Sequence, residues 1–490
     1  MVGAQTPVLD EQYLVVEARR KRELVERVDI EVLLDRFLSL EDRFAPLANV
    51  EDVARFALAV GPNALGNYKT TFTIKLTAFP KPPISMEMQA NPNPELDEKL
   101  PTEIDSIEAQ RNPYSWYKEM RETNPIRYDE NRKRWDVFRY DDVERILTNH
   151  ETFISSKISD IDPVGAFGAR VFGDTDLPDH QRQRGAVDDF FRPGKLRDFR
   201  PELRTKVDKL LDQVLETGSA IDVANELSTP ITVWSITEIL GVPSDHTDQL
   251  TELVTEVLDT TEAEPMTITV DGKTFGPGGH DVMEAYFKYL LDKRARDPKD
   301  GVISRIAQAD DLSEEEQYWM TIFLYSAGVE TSAKSIDIAL WTFAEEDVYS
   351  QLRDGKINQK LAFEESLRYR TALQSMAGRS PVEDVEINGT IIPEGDQICL
   401  WVGSANRDER KFDDPDEFDP KRKPNPHISF GKGLHYCLGA PLALLEGDIV
   451  IEAITDRVKS IECAVEFDEL QPGFNPRIYG FDEVPMHFYT

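Results

Sequence analysis

The segment FGKGLHYCLG, residues 430–439, carries the pattern that decides the fold of this 490-residue chain. Its single cysteine, Cys437, is bracketed by Gly431, Gly433 and Gly439, and an apolar helix is predicted directly after it. A thiolate just before a helix N-terminus is stabilised by the helix dipole and by free backbone N–H groups. Glycines allow the loop to approach a flat cofactor closely. The segment therefore predicts a cysteine beside a flat cofactor rather than a buried cysteine in a glycine-rich turn.

These ten residues resemble the haem-ligand loop of the cytochrome P-450 family, the haem-thiolate monooxygenases. The resemblance implies haem b as cofactor and Cys437 as the axial thiolate that binds the metal and favours O–O cleavage. It also implies that Phe430 shields the sulfur and that His435 binds a haem propionate. Gly431 and Gly439 complete the cofactor-binding loop.

A second segment, LYSAGVETSAKS at residues 324–335, matches the oxygen-activation motif of the same family. Small Ala327 and Gly328 would let a flat ring pack against the predicted helix. Thr331 can bond a backbone carbonyl and open the helix locally. Glu330 and Thr331 are then a catalytic acid–alcohol pair that delivers protons to bound dioxygen.

A third segment, FEESLRYRT at residues 363–371, places Glu365 and Arg368 three positions apart on one helical face, where they can pair. In the family, Glu-x-x-Arg forms a buried structural triad with a later arginine. The sequence Pro420-Lys421-Arg422 supplies Arg422 as the expected third member.

Three further residues resemble the propionate-binding residues of the family. His180 and Arg184 are four positions apart within LPDHQRQRGAVDDFF, and Arg379 opens a predicted strand. An arginine fork suits this role because it bonds a carboxylate in two places.

The resemblance covers residues 105–490 and implies a mainly α fold with small β-sheets. This is the cytochrome P-450 fold, a triangular helical prism around a buried haem. The implied activity inserts one oxygen atom from O2 into an apolar substrate by hydroxylation or epoxidation, with two electrons from a separate redox partner. Two alternatives stay open: a peroxide-driven haem peroxygenase, and a haem sensor or electron carrier without turnover. An intact acid–alcohol pair argues against both.

The chain has no flavin motif and too few cysteines for an iron–sulfur domain, so we expect a ferredoxin and a ferredoxin reductase as redox partners. Basic residues flanking the ligand loop either dock an acidic carrier or balance local charge. They are Arg192, Lys195, Arg197, Lys421, Arg422, Lys423 and Lys432.

The net charge of −35 argues against nucleic acid and anionic membranes as partners, because like charges repel. Residues 1–85 hold 12 of the 91 acidic and 11 of the 56 basic residues, which leaves a balance of −34 on residues 86–490. This charge favours a protein adapted to high cytoplasmic salt, as in a halophilic archaeon. Three cysteines exclude a disulfide scaffold. No targeting segment or membrane-length apolar run is found, so we expect a cytoplasmic prokaryotic monomer.

Residues 1–85 lie outside the resemblance and are followed by a Pro-rich linker at 86–104. They are either a small accessory domain or an artefact of start assignment at Met86 or Met88. A helix over 14–40 and a strand within 70–79 are predicted there.

The remainder of the chain is predicted to be mostly helical, with helices at 201–217, 230–241, 247–260, 281–296, 313–342 and 359–370. Two strand-like runs flank a turn at 129–131. The segment TITVDGKTFGPGG at 267–279 predicts a hairpin around Asp271-Gly272. Its position suits either a lid over a pocket or an inert surface loop.

Overall fold

The computed structural model describes residues 15–17, 73–75, 100–155, 171–216, 220–251, 267–276, 279–473, 475 and 477–490. The chain divides into two compact units, Met1–Met88 and Gln89–Thr490, and this division falls inside the predicted linker. All the motifs quoted above lie in the second unit.

The described part of the first unit is a pair of antiparallel strands, Val15–Glu17 and Thr73–Lys75. The strand predicted within 70–79 is confirmed at its centre. The helix predicted over 14–40 is wrong at its first residues, where two β-branched valines pair with the second strand. The remainder of that helix lies outside the described residues.

Helices form about half of the described residues of the second unit. The α-helices are Ile107–Arg111, Tyr114–Thr123, Tyr140–Thr148, Asp179–Val187, Pro193–Glu216, Thr229–Leu240, Gly279–Arg296, Val302–Ala307, Glu314–Glu345, Tyr349–Arg353, Gln359–Tyr369, Val402–Ala405 and Ala440–Arg457. The predicted helices that lie within the described residues each have a counterpart in this set, and the segment 247–260 is described only up to residue 251.

Small sheets lie between the helices. A five-stranded sheet has the order Ile126–Asp129, Arg134–Val137, Ile398–Leu400, Met376–Pro381 and Phe153–Ile154. A three-stranded sheet has the order Ser460–Cys463, Pro485–Tyr489 and Ile221–Asp222. Two hairpins, Val385–Ile387 with Thr390–Ile392 and Ile268–Val270 with Lys273–Phe275, are the remaining strands among the described residues of this unit.

The five-stranded sheet joins segments that are distant in the sequence. The strand Ile398–Leu400 pairs in parallel with Arg134–Val137 and antiparallel with Met376–Pro381. The predicted turn at 129–131 is confirmed by the antiparallel pair Ile126–Asp129 and Arg134–Val137. Because Arg379 lies in the strand Met376–Pro381, the sheet fixes the place of one predicted site residue.

The longest helix, Glu314–Glu345, is called the central helix below. It begins at a capping box, in which the Ser313 hydroxyl accepts from the Glu316 N–H and the Glu316 carboxylate accepts from the Ser313 N–H. It packs against the helices Thr229–Leu240 and Ala440–Arg457, and its buried side chains belong to two large apolar clusters. The segment 324–335 is therefore held within a long helix that is packed into the core.

The hairpin predicted around Asp271-Gly272 is confirmed, with Val270 opposite Lys273. Its residues Ile268 and Val270 are buried in the same apolar cluster as the central helix. The Asp271 carboxylate accepts a hydrogen bond from the Tyr289 hydroxyl at 2.8 Å. Among the described residues, therefore, this hairpin is packed against the protein rather than placed as a free flap.

Among the described helices, none is both long enough and apolar enough to cross a membrane.

Candidate active site

The loop that carries Cys437 has the tight backbone that its glycines predict. Gly431 and Gly433 have positive φ angles of 67° and 73°, which favour glycine. The Cys437 N–H donates to the carbonyl oxygen of Phe430 at 2.9 Å, which closes the loop. The helix Ala440–Arg457 begins three residues after the cysteine. The loop therefore presents the Cys437 thiol at a helix N-terminus.

Cys437 is exposed and lines a cavity. Surrounding protein desolvates the sulfur, so burial raises the pKa of the Cys437 thiol. The backbone N–H groups of Gly439 and Ala440 and the charge of Arg184 act in the opposite direction. A cation at the sulfur would complete the stabilisation of the thiolate, because metal ligation requires the deprotonated form.

The cavity beside Cys437 has a volume of about 420 Å³. Much of its wall is apolar and includes Phe172, Phe323, Leu324 and Leu373. Most of the predicted site residues line it: Arg184, Ala327, Gly328, Thr331, Arg379, Phe430, Gly431, His435, Cys437 and Gly439. His180 and Glu330 lie outside this lining.

The central helix forms one wall of the cavity through Ala327, Gly328 and Thr331. The Thr331 hydroxyl donates to the Ala327 carbonyl oxygen at 3.0 Å, as expected for a threonine that competes for a helical carbonyl. A Cβ atom on Gly328 would lie 2.9 Å from the side chain of Ile236. The absence of a side chain at Gly328 thus also serves close packing against the neighbouring helix.

Glu330 is half-buried next to Thr331. Its carboxylate is hydrogen-bonded to the C-terminal part of the chain. The Asn475 amide donates to Glu330 Oε2 at 3.4 Å. The structure therefore brings the alcohol of the predicted pair to the cavity and holds the acid beside it.

Two predicted histidines meet at the edge of the cavity. The rings of His180 and His435 contact edge to face, with centroids 4.7 Å apart. Neither ring nitrogen of buried His180 has a hydrogen-bond partner among the described residues. Burial, with Arg184 nearby, lowers the pKa of His180 to about 4, and burial with Arg379 nearby lowers that of His435 to about 3. Both rings are therefore neutral at pH 7.

Two arginines border the same pair of histidines. Arg379 is only 7% exposed, and its guanidinium donates to the Gly378 carbonyl oxygen at 3.1 Å. Burial lowers the pKa of Arg379, and nearby acidic groups oppose this effect. Arg184 Nη1 donates to the Tyr436 carbonyl oxygen at 2.7 Å, which ties its helix to the residue before Cys437.

Glu365, Arg368 and Arg422 come together as a buried cluster. Arg368 binds Glu365 through two nearly parallel bonds of 2.9 and 2.7 Å. Arg422 Nε donates to Glu365 Oε1 at 3.0 Å, and the Asp419 N–H donates to the same oxygen at 3.0 Å. Arg422 is buried in this cluster, with 9% of its surface exposed.

Comparisons with known proteins decide the family. A family model described as Cytochrome P450 matches residues 360–459. Cytochrome P450 109 of Bacillus spizizenii is 32% identical over 386 residues, which are 76% of this chain and 91% of that protein. The chain belongs to the cytochrome P450 family. The polyketide biosynthesis cytochrome P450 PksS of Bacillus subtilis is 31% identical over 415 residues, which are 79% of this chain and 99% of that protein.

A solved P450 structure has the same fold. CYP109E1 from Bacillus megaterium in complex with testosterone aligns with a TM-score of 0.66 and 32% identity, over 77% of this chain and 99% of that chain. This P450 is therefore a monooxygenase of mainly α fold with small sheets, and its family carries haem b bound through a cysteine thiolate. These relatives are bacterial and give no support for a halophilic source.

The residues around the cavity fit a haem in this P450. A cysteine sulfur faces the cavity, and a Cβ atom on Gly439 would lie 3.9 Å from that sulfur. The one N–H of the neutral His180 ring, whose nitrogens have no partner among the described residues, and the guanidinium groups of Arg184 and Arg379 are donors suited to carboxylates. The sulfur ligand and these N–H donors therefore match a flat iron cofactor that carries carboxylate groups.

Some residues of this site were missed by the sequence predictions. The Ser155 hydroxyl lies 3.1 Å from His435 Nε2, and Asn475 bonds Glu330. Each lies more than 100 positions from its partner, so no local spacing pattern could have identified it. The aromatic cavity residues Phe172 and Phe323 were missed because they resemble ordinary core residues in the sequence.

Proposed function

We propose that this P450 inserts one oxygen atom from O2 into a small apolar substrate, by hydroxylation or epoxidation, with two electrons from a separate redox protein. The observation that carries this proposal is that the Cys437 thiol and the Thr331 hydroxyl line one largely apolar cavity. A sulfur ligand, a proton-relaying alcohol and an apolar binding space are the three elements that such a reaction requires.

In this proposal the haem, when bound, supplies the oxygen activation, and the chain supplies its environment. Cys437 would supply the sulfur ligand, and Phe430 would shield the sulfur from water. Gly431 and Gly439 would let the loop lie close to the cofactor, and Ala327 and Gly328 would let the central helix do so. His180, Arg184, Arg379 and His435 would bind the propionates.

Glu330 and Thr331 carry the proton-transfer part of the proposal. The Thr331 hydroxyl lines the cavity and donates a hydrogen bond to Ala327 O. Its oxygen can therefore accept a hydrogen bond from a water molecule, and the hydroxyl can rotate to pass a proton on. Glu330 is its neighbour on the central helix and can exchange protons with water. Glu365, Arg368 and Arg422 act on the fold and not on the reaction.

An apolar substrate is favoured by the aromatic and aliphatic part of the cavity wall. CYP109E1, a relative 32% identical to this chain, was solved with testosterone bound. We therefore place rigid apolar molecules such as steroids first among the compounds to be tested, followed by terpenes and fatty acids.

The electron donor is proposed to be a ferredoxin served by a ferredoxin reductase, with the enzyme a cytoplasmic monomer. The ligand loop would lie on the docking face. Lys421 and Lys423 are exposed near it, whereas Lys432 already pairs with Glu144 and Arg192 pairs with Asp189 at 2.8 Å. Lys195 and Arg197 are exposed as well, so these two residues and the two exposed lysines are the candidates for the proposed docking surface.

Oxygen labelling tests this function against both alternatives. The enzyme is supplied with ferredoxin, its reductase, NADPH and labelled dioxygen, and the product is analysed by mass spectrometry. We expect one labelled oxygen atom per product molecule, dependent on the reductase. Product formed only when hydrogen peroxide is added would support the peroxygenase alternative. Substrate-induced spectral changes without any product would support the sensor alternative.

A further inference from the structure

The described residues of the segment 472–481, called the C-terminal loop here, form a closed turn beside the central helix. Pro472 and Phe481 form an antiparallel bridge, and the Gly473 N–H donates to the Gly480 carbonyl oxygen at 3.0 Å. The strand-like end of the loop is also fixed, because the Tyr479 N–H donates to the Ala372 carbonyl oxygen at 2.6 Å. The loop is therefore tied at both ends.

Two of the polar contacts between this loop and the central helix lie one helical turn apart. Asn475 donates to the Glu330 carboxylate, and the Lys334 ammonium donates to the Phe481 carbonyl oxygen. The Lys334 stem covers Gly480, where a Cβ atom would lie 2.6 Å from that stem. The two points differ in chemistry, since only the first involves a residue of the acid–alcohol pair.

The amide of Asn475 is oriented by its own loop. The Arg477 N–H donates to Asn475 Oδ1 at 3.2 Å, and the Ile478 N–H donates to the Asn475 carbonyl oxygen at 3.0 Å. These two bonds form an Asx turn within a β-turn, a motif in which the side-chain oxygen faces the backbone. The amide nitrogen of Asn475 must then face away from the turn, where Glu330 lies.

We propose that Asn475 is a positioning residue, which holds the Glu330 carboxylate against the C-terminal loop and thereby controls proton supply to Thr331. This inference rests on the proposed function. Glu330 lies outside the cavity lining while Thr331 is part of it. A proton from Glu330 would therefore reach the cavity by way of Thr331. In each relay Glu330 gives one proton towards Thr331 through water and regains one from solvent, so its charge is unchanged over the cycle.

The variant N475D tests this proposal with little disturbance of the loop. Its carboxylate can still accept from the Arg477 N–H, but it places a second acceptor against Glu330 in place of the donor. We expect about a threefold loss in the fraction of NADPH recovered as product, the size expected for one lost hydrogen bond. The solvent deuterium isotope effect on product formation should rise, because proton supply becomes slower.

A double-mutant cycle with E330Q separates positioning from a general effect on folding. The coupling is the fraction of NADPH that is recovered as product. If Asn475 acts through Glu330, N475D should change this coupling very little in the E330Q background. An equal loss in both backgrounds would overturn the proposal. If E330Q alone leaves the coupling unchanged, the proton role of Glu330 in the proposed function fails instead.

The variant K334M is the matched control, since it removes a polar contact between the same loop and the central helix that does not involve Glu330. We expect a lower unfolding midpoint for K334M with unchanged coupling. All variants are assayed with the steroid, terpene or fatty acid that gives the native enzyme its highest product yield. The dissociation constant of that compound, from spectral titration, should be the same for N475D and the native enzyme. A uniform loss of coupling in N475D and K334M would contradict the specific role of Asn475.

Discussion

Gly433 packs directly against the backbone of Leu147, so closely that a Cβ atom on Gly433 would lie 2.5 Å from the Leu147 carbonyl oxygen. Leu147 lies in the last turn of the helix Tyr140–Thr148, and Gly433 lies in the loop that carries Cys437. The shape of the ligand loop is thus fixed by a helix almost 300 positions away in the sequence.

The first prediction concerns this contact. We expect G433A to lower the free energy of unfolding by more than about 2 kcal/mol, because a positive φ and a backbone clash act together. Gly355 is the matched control, since its φ is +68° but nothing lies within 4 Å of its Cβ position. G355A should cost only about 1 kcal/mol by denaturant unfolding. Equal costs for both variants would contradict the packing account.

The second prediction concerns the Thr331 hydroxyl. We expect T331A to lower the ratio of product formed to NADPH consumed by about tenfold, because the proton-relaying group is lost. T331S keeps a hydroxyl at the same place and should retain most of the coupling. The ratio is measured by product analysis together with NADPH absorbance. Undiminished coupling in T331A would remove Thr331 from the mechanism.

The third prediction concerns the pH dependence of stability. Asp337 is 1% exposed on the central helix, and burial raises its pKa to about 7, with Lys334 and the Ser228 hydroxyl acting in the opposite direction. Asp222 adds a further upward shift to the pKa. Because an unfolded aspartate loses its proton near pH 4, ionising Asp337 lowers the free energy of unfolding as the pH rises from about 4 to 7.

We therefore expect D337N to stabilise the protein at pH 8 and to have little effect at pH 4.5. The gain at pH 8 has an upper bound of about 4 kcal/mol, the free energy that corresponds to so large a pKa shift. Denaturant unfolding at a series of pH values measures it, with the exposed variant D310N as control. A D337N effect that does not change between these pH values would show that Asp337 does not titrate in this range.

The fourth prediction concerns the net charge of −35. Raising potassium chloride from about 0.1 to 1 M shortens the screening length from about 10 to 3 Å. Repulsion among the acidic surface groups then weakens, so we expect the unfolding midpoint to rise with salt. Calorimetry at several salt concentrations measures the midpoint. A midpoint that stays constant or falls would contradict adaptation to a salty cytoplasm.

The sequence predicted the family, the helices and the ligand loop because these depend on short patterns. FGKGLHYCLG and the central-helix motif each lie within about a dozen consecutive residues, and apolar periodicity marks the helices. The contacts between residues far apart in the sequence could not be predicted from such patterns. Nothing near Asn475 indicates that it meets Glu330, and nothing near Gly433 indicates that it meets Leu147.

The failed helix prediction has a related cause. Val15–Glu17 was predicted to start a helix, but its pairing with a strand almost 60 positions later overrides the helical periodicity. A partner distant in the sequence therefore decides the outcome there too.

The most direct test of the account is the absorption spectrum of the reduced carbon monoxide complex of C437S. The account predicts that C437S loses the red-shifted Soret band of thiolate ligation, since Cys437 supplies the sulfur that faces the cavity. C463S is the matched control, because Cys463 lies in a strand and outside the lining of that cavity, and it should keep the band. If C437S kept the band, Cys437 would not be the ligand and the proposed active site would be wrong.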